Sequence, residues 1–146
     1  MSDTPKHTHV CGILVVDEHD DVRELLRVSL SAEGYGVAVA RSGREALAHL
    51  RSTAETCVIL LDMTASTTEI ARFRAAQLRD RSLAWIPVIV MSGGVDAAQR
   101  ARAFGASGFV RTPLDLDQVR DTVRRVGCGR ESALRRARQE RSAEAP

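Results

Sequence analysis

The chain has almost no lysine: Lys6 is its only one, and the other 20 of its 21 basic residues are arginine. Arginine is the better fork for anions, yet a bias spread over the whole chain reads first as coding composition. Aromatic residues make up 3% of the 146, too few for a platform on which single-stranded nucleic acid stacks. A formal net charge of +2 adds no electrostatic case for a nucleic-acid partner. No apolar run approaches the roughly 18 residues that cross a bilayer, and Met1 to His9 contain no apolar signal segment. A cytoplasmic protein without membrane contact is therefore expected. Cys11, Cys57 and Cys128 are odd in number and lack C-x-x-C spacing, which indicates neither a disulfide framework nor a zinc site. Cys11 and Cys57 open two apolar runs and read as small buried hydrophobes. His7 and His9 fall in a polar terminal stretch, residues 1–10, expected to be flexible.

What the chain does have is 44% hydrophobic residues, enough for one domain with a core, and acids placed at the ends of apolar runs. Asp17 and Glu18 close Ile13-Leu14-Val15-Val16, and Asp62 closes Val58-Ile59-Leu60-Leu61. Uninterrupted runs of this length read as strands buried on both faces of a parallel sheet. Acids just beyond them lie at the carboxyl edge, where open α/β folds place ligands. If the strands are neighbours, carboxylates about 4 Å apart repel by ~4 kcal/mol at an effective dielectric near 20, so the cluster calls for a cation. Hard oxygen ligands with open positions suit Mg²⁺.

Strand and helix patterns alternate along the chain. A first strand over Cys11 to Val16 is followed by a helix capped by Asp20 or Asp21, with Val22, Leu25, Leu26, Ser29 and Leu30 on one face and Gly34 at its end. Tyr35 to Ala40 is a second strand, and Ser42-Gly43-Arg44-Glu45 has the form of a capping box. The third strand, Cys57 to Leu61, leads into a Thr/Ser loop and a helix carrying Ile70, Phe73 and Leu78. Pro87 to Met91 is the fourth strand, with proline at its tolerated first position. A helix over Asp96 to Phe104 and a short strand over Gly108 to Arg111 follow. The last helix is capped by Asp115, with Leu114 and Val119 placed for a hydrophobic staple. Residues 11–127 thus form one domain of βαβ units. Residues 128–146, rich in Arg, Glu and Ala, are expected to be a helical extension or disordered.

Taken in order, Val-Val-Asp17-Glu18, Leu-Leu-Asp62, Pro-Val-Ile-Val-Met-Ser92-Gly93, Gly105-Ala106-Ser107-Gly108-Phe109 and Pro113 resemble the receiver domain of bacterial two-component response regulators. The resemblance covers about Gly12 to Val126. It implies a flavodoxin-like doubly wound five-stranded parallel sheet, order 2-1-3-4-5, with helices on both faces. It also implies that Asp62 accepts a phosphoryl group from a sensor histidine kinase or phosphotransfer protein. Mg²⁺ would be held by Asp62, Glu18, Asp17 through water, and the backbone carbonyl of Thr64. Ser92 would donate its hydroxyl to the phosphoryl oxygens, Gly93 would leave them room, and Phe109 would be the switch aromatic. His19, beside the acids, reads as a solvated loop histidine.

Several positions depart from the family pattern. Thr112 stands where receivers place lysine before the last-loop proline; Arg111 beside it should point away from the site. Glu18 replaces the more usual Asp, and Ala65-Ser66-Thr67-Thr68 replaces the usual Met-Pro loop. The leading reading is a stand-alone receiver, monomeric or weakly dimeric and without a DNA-binding module. It would signal by docking to a downstream protein, as a phosphoacceptor that assists its own phosphoryl transfer and dephosphorylation and not as an enzyme. The alternative is a phosphate-independent pseudo-receiver scaffold. A flavin- or nucleotide-binding protein is disfavoured, because no Gly-rich phosphate loop follows the first strand.

Overall fold

The computed structural model describes residues 12–127. Five parallel strands, β1 (Gly12–Val16), β2 (Gly36–Ala40), β3 (Thr56–Asp62), β4 (Val88–Ser92) and β5 (Gly108–Arg111), form one sheet in the order β2-β1-β3-β4-β5. All four pairings are parallel, as right-handed βαβ crossovers require. Helices α1 (Asp20–Ala32), α2 (Gly43–Ser52), α3 (Thr67–Arg79), α4 (Arg81–Ala84) and α5 (Ala97–Phe104) are followed by α6 over residues 116–127. The flavodoxin-like order and the helix coverage of both faces agree with the expectation from sequence. Among the described residues no helix is long and apolar enough to cross a membrane. The expectations for residues 1–10 and 128–146 fall outside the described residues.

Alternation along the strands divides the core in two. Leu14, Val16, Ile59, Leu61, Val88 and Val90 pack with Leu50, Ile70, Phe73 and Ala101 from α2, α3 and α5. Ile13, Val15, Val58, Leu60, Ile89 and Met91 pack on the other face with Leu26 and Leu30 of α1 and Val119 and Val123 of α6. Both faces of β1 and β3 are therefore apolar, which explains their unbroken hydrophobic runs.

Several local expectations are corrected. The N-cap of α1 is His19, with no side-chain cap bond; Asp20 and Asp21 occupy the first turn. The reason lies upstream: the β1–α1 turn is closed by Asp17, whose Oδ1 accepts the His19 amide at 2.9 Å. Leu25 is 49% exposed and Leu78 is 51% exposed. Each lies 100° round the helix from a neighbour that takes the inward position, Leu26 on α1 and Gln77 on α3. The capping box of α2 is also modified: Ser42 Oγ accepts the Glu45 amide, while Glu45 reaches back to the Arg41 amide. Pro87 precedes β4, its carbonyl accepting the Ile59 amide at 3.0 Å. Cys57 is buried as expected but is disulfide-bonded, which corrects the reading of it as a small buried hydrophobe only.

Helix α4 has no counterpart in the expected pattern. Asp80 caps it, accepting the Ser82 amide, and the fully buried Gln77 holds it. Gln77 Nε2 donates to the carbonyls of Leu83 and Ile86 at 3.1 and 3.0 Å, and its Oε1 accepts from Arg74 Nη1 at 2.8 Å. Gln77→Leu keeps the volume but takes the side-chain donor from the Ile86 carbonyl, while the Leu83 carbonyl keeps the Ile86 amide, so a loss of about 1–3 kcal/mol is expected. Urea unfolding measures it, and an unchanged midpoint would show that the amide contributes nothing net.

Candidate functional site

The register between β1 and β3 determines where the acids meet. Val16 pairs with Leu61, so Asp17 and Asp62 are level on adjacent strands, which in sheets lie about 4.8 Å apart. Both are nearly buried, at 4% and 6% exposure. The β1–α1 turn is pinned from below by Arg23, itself buried in α1, whose Nη1 donates to the Asp17 carbonyl at 2.8 Å. Arg23 also pairs with Asp20, leaving the Asp17 carboxylate free to face the sheet edge.

His19 joins the two acids. Its Nδ1 lies 2.9 Å from Asp17 Oδ1 and 3.6 Å from Asp62 Oδ2. Among the described residues, Asp17, His19 and Asp62 form the one group of three or more potential metal-ligating side chains, with ligand atoms all within 4.8 Å of one another. Glu18 lines the same cleft but is exposed and lies outside that group. Thr64 holds the nucleophile candidate: its amide donates to Asp62 Oδ1 at 3.1 Å and its hydroxyl to Oδ2 at 2.6 Å. Burial pushes the Asp17 carboxyl above its usual range, and the neighbouring Asp62 charge adds to this against the opposing His19 hydrogen bonds. The Asp17 hydrogen bond, with its charge, raises the His19 imidazole.

The rest of the site gathers at the ends of β4 and β5. Asp62 pairs with Met91, which puts the buried Ser92 one residue further along the adjacent strand. The Ser92 carbonyl accepts the Thr112 amide at 3.0 Å, tying the two loops together ahead of the cis Thr112–Pro113 peptide. A Cβ on Gly93 would lie 2.6 Å from Thr112 Oγ1 and 3.3 Å from its carbonyl oxygen. Glycine at 93 thus admits the Thr112 side chain. Arg111 turns aside, as expected: its Nη1 donates to the Gly94 carbonyl at 2.7 Å and its guanidinium sits 5.4 Å above the Phe109 ring centre. Phe109 is half-buried against the α2–α3–α5 side of the core.

A pair of buried carboxylates open on one side fits a hard divalent cation, since their repulsion is relieved only by positive charge. The cleft beside them, bordered by Glu18, Arg41 and Ala65, encloses ≈ 30 Å³. That accommodates an ion and little more, against roughly 300–1,000 Å³ for cofactor-sized ligands. Sequence reasoning placed the two acids and missed His19 and Arg23. The Asp-x-His spacing is the only local signal for the former, because it permits the two-residue hydrogen-bonded turn seen here.

The family model described as "Response regulator receiver domain" matches residues 13–124. The chain is 32% identical over 121 residues to the regulatory protein AtoC of Escherichia coli strain K12, covering 82% of this chain and 26% of that protein. It is 32% identical over 116 residues to the transcriptional regulatory protein ZraR of Salmonella typhimurium, covering 78% and 26%. It thus spans about a quarter of the length of these relatives. Among solved structures, the chemotaxis response regulator CheY4 of Vibrio cholerae matches with a TM-score of 0.71 at 25% identity, covering 80% of this chain and 98% of that one. The receiver domain of NtrX from Brucella abortus matches at 0.66 and 27%, covering 78% and 96%.

Proposed function

The chain belongs to the response regulator receiver family of two-component systems, and on that premise we propose that Asp62 accepts a phosphoryl group from a histidine kinase or phosphotransfer protein. The observation that carries this reading is the Thr64–Asp62 contact beside Asp17. One carboxylate is oriented through both its oxygens at a sheet edge where a second buried carboxylate can share a divalent cation. An Asp62 oxygen forms its bond to phosphorus as the P–N bond of the donor phosphohistidine breaks. The electron pair leaves with the imidazole nitrogen, which takes a proton from solvent. Bound Mg²⁺ supplies positive charge to the phosphoryl oxygens in such transfers. Asp17 and Asp62 are the side chains that would hold it. The backbone carbonyl of Thr64 completes the proposed set, and Glu18 stands at the rim. Ser92 and Thr112, on the neighbouring strand ends, offer hydroxyl donors to the acyl phosphate, and the product signals by docking to another protein in the cytoplasm. Asp62 is thereby a signalling acceptor, turned over by its own dephosphorylation.

Intact mass after incubation with acetyl phosphate and Mg²⁺ tests this reading. The wild type should gain the mass of one phosphoryl group and Asp62→Asn none. A second reading, a phosphate-independent scaffold, draws on Thr112 in the lysine position. It prevails if the wild type gains no phosphoryl group from acetyl phosphate or from its cognate kinase.

A further inference from the structure

We propose that His19 is a third protein ligand in this metal site, and that its imidazole shifts the site's preference from Mg²⁺ toward nitrogen-seeking divalent ions of the Co²⁺ and Zn²⁺ class. The inference rests on the reading above that Asp17 and Asp62 share a divalent cation. It departs from that reading in the donor set, which here is two oxygens and a nitrogen.

The spacing supports ligation. Around an ion with bonds of about 2.1 Å, neighbouring donors lie about 3.0 Å apart in octahedral and about 3.4 Å in tetrahedral geometry. His19 Nδ1 stands 2.9 Å from one carboxylate and 3.6 Å from the other, distances that bracket both values, and all three donors lie within 4.8 Å of one another. The ring is held there by its own backbone. The His19 amide donates to the same Asp17 oxygen that Nδ1 approaches, and the residue is fixed at the start of α1 in an extended conformation. The imidazole is also 52% exposed. Its ion-pair contacts are with the two acids. In the metal-free site Nδ1 donates its proton to Asp17 Oδ1; a divalent ion binding between the acids and the ring takes that proton's place on Nδ1.

Ion chemistry gives the direction of the preference. Mg²⁺ favours oxygen donors and parts reluctantly with its water. Imidazole favours later ions, whose affinity for nitrogen sites rises from Mn²⁺ through Co²⁺ and Ni²⁺. The opposing account is that His19, as imidazolium, stands in for a cation and competes with metal. The two accounts have opposite signs. A ligand's removal weakens binding of nitrogen-seeking ions selectively, whereas a competing charge's removal tightens all divalent ions alike.

The experiment is calorimetric titration of Mg²⁺ and Co²⁺ into the full chain carrying His7→Ala and His9→Ala, with and without His19→Asn. Electron spin echo measurements on Mn²⁺-loaded protein accompany it. With His19 as ligand, His19→Asn lowers Co²⁺ affinity at least about tenfold while Mg²⁺ affinity changes less than about threefold. The nitrogen modulation on Mn²⁺ is also lost. Equal tightening of Mg²⁺ and Co²⁺ in His19→Asn, or the absence of nitrogen modulation in the parent, overturns the assignment and leaves the two-carboxylate site intact. If the parent binds none of the three ions, this inference and the metal reading of the site fail together.

Discussion

Asp17→Asn is expected to raise the unfolding midpoint of the metal-free protein and to cut its Mg²⁺ affinity by at least about 100-fold. The two effects share one cause. Asp17 is nearly buried, and its carboxyl is raised above the usual range, first by burial and further by the adjacent Asp62 charge. A carboxyl whose folded-state pKa lies above its unfolded value of 3.8 binds its proton more tightly in the native state. Its penalty sets in as pH rises above the unfolded value and is complete once pH passes the folded-state pKa. An amide of the same shape is spared the penalty, although it gives up the ionic part of the His19 contact. The same charge is what a cation seeks. Outer-sphere partners of metal sites are worth about 10–100-fold in affinity, and a direct or water-bridged carboxylate should exceed that range. In the wild type, Mg²⁺ at 100 times its dissociation constant would add about 2.7 kcal/mol of stability; the variant should lack that increment. Thermal unfolding in EDTA and in Mg²⁺, with calorimetric titration, makes the comparison. A variant less stable than wild type in EDTA, or equal to it in Mg²⁺ affinity, would remove Asp17 from the proposed site.

The fold was legible because its constraints are periodic. Double-sided burial forces continuous apolar runs in β1 and β3, and any acid ending such runs in adjacent parallel strands must meet its counterpart at the carboxyl edge. Asp17 and Asp62 could therefore be brought together from sequence. Helix faces were less legible wherever two large apolar residues were adjacent, as at Leu25-Leu26. Gln77 shows the limit more sharply: the pattern puts Leu78 on the inner face, but the buried Gln77 amide takes that place and donates to the Leu83 and Ile86 carbonyls of the α4 connection. That placement comes from a loop conformation with no periodic signal. His19 escaped for a related reason. Its ring position depends on the dihedral angles of one turn, and the alternative, a histidine pointing into water, has the same sequence.

Thr112→Lys should raise the phosphorylated, switched population about 2–30-fold over wild type. In this chain the site gathers two buried acids, a buried serine and Thr112, but no lysine exists beyond Lys6. The nearest cation on β5, Arg111, is committed to the Gly94 carbonyl and the Phe109 face. A hydroxyl contributes about 1 kcal/mol to a phosphoryl oxygen and a charged donor about 1.5–3. The difference of roughly 0.5–2 kcal/mol converts to the stated range at 1.36 kcal/mol per tenfold. Residue 112 is placed to make the exchange, since its side chain lies against Gly93 at the junction of the β4 and β5 loops. The methylenes of lysine can follow the same opening and extend toward Asp62. Phosphorylated fraction by intact mass, and amide-shift changes around Phe109 by NMR, should both increase in Thr112→Lys. If uptake rises while the Phe109 amides stay still, the lysine aids transfer without driving the switch. If neither changes, with Asp62 still accepting phosphate in the wild type, the missing cation is not what limits this receiver.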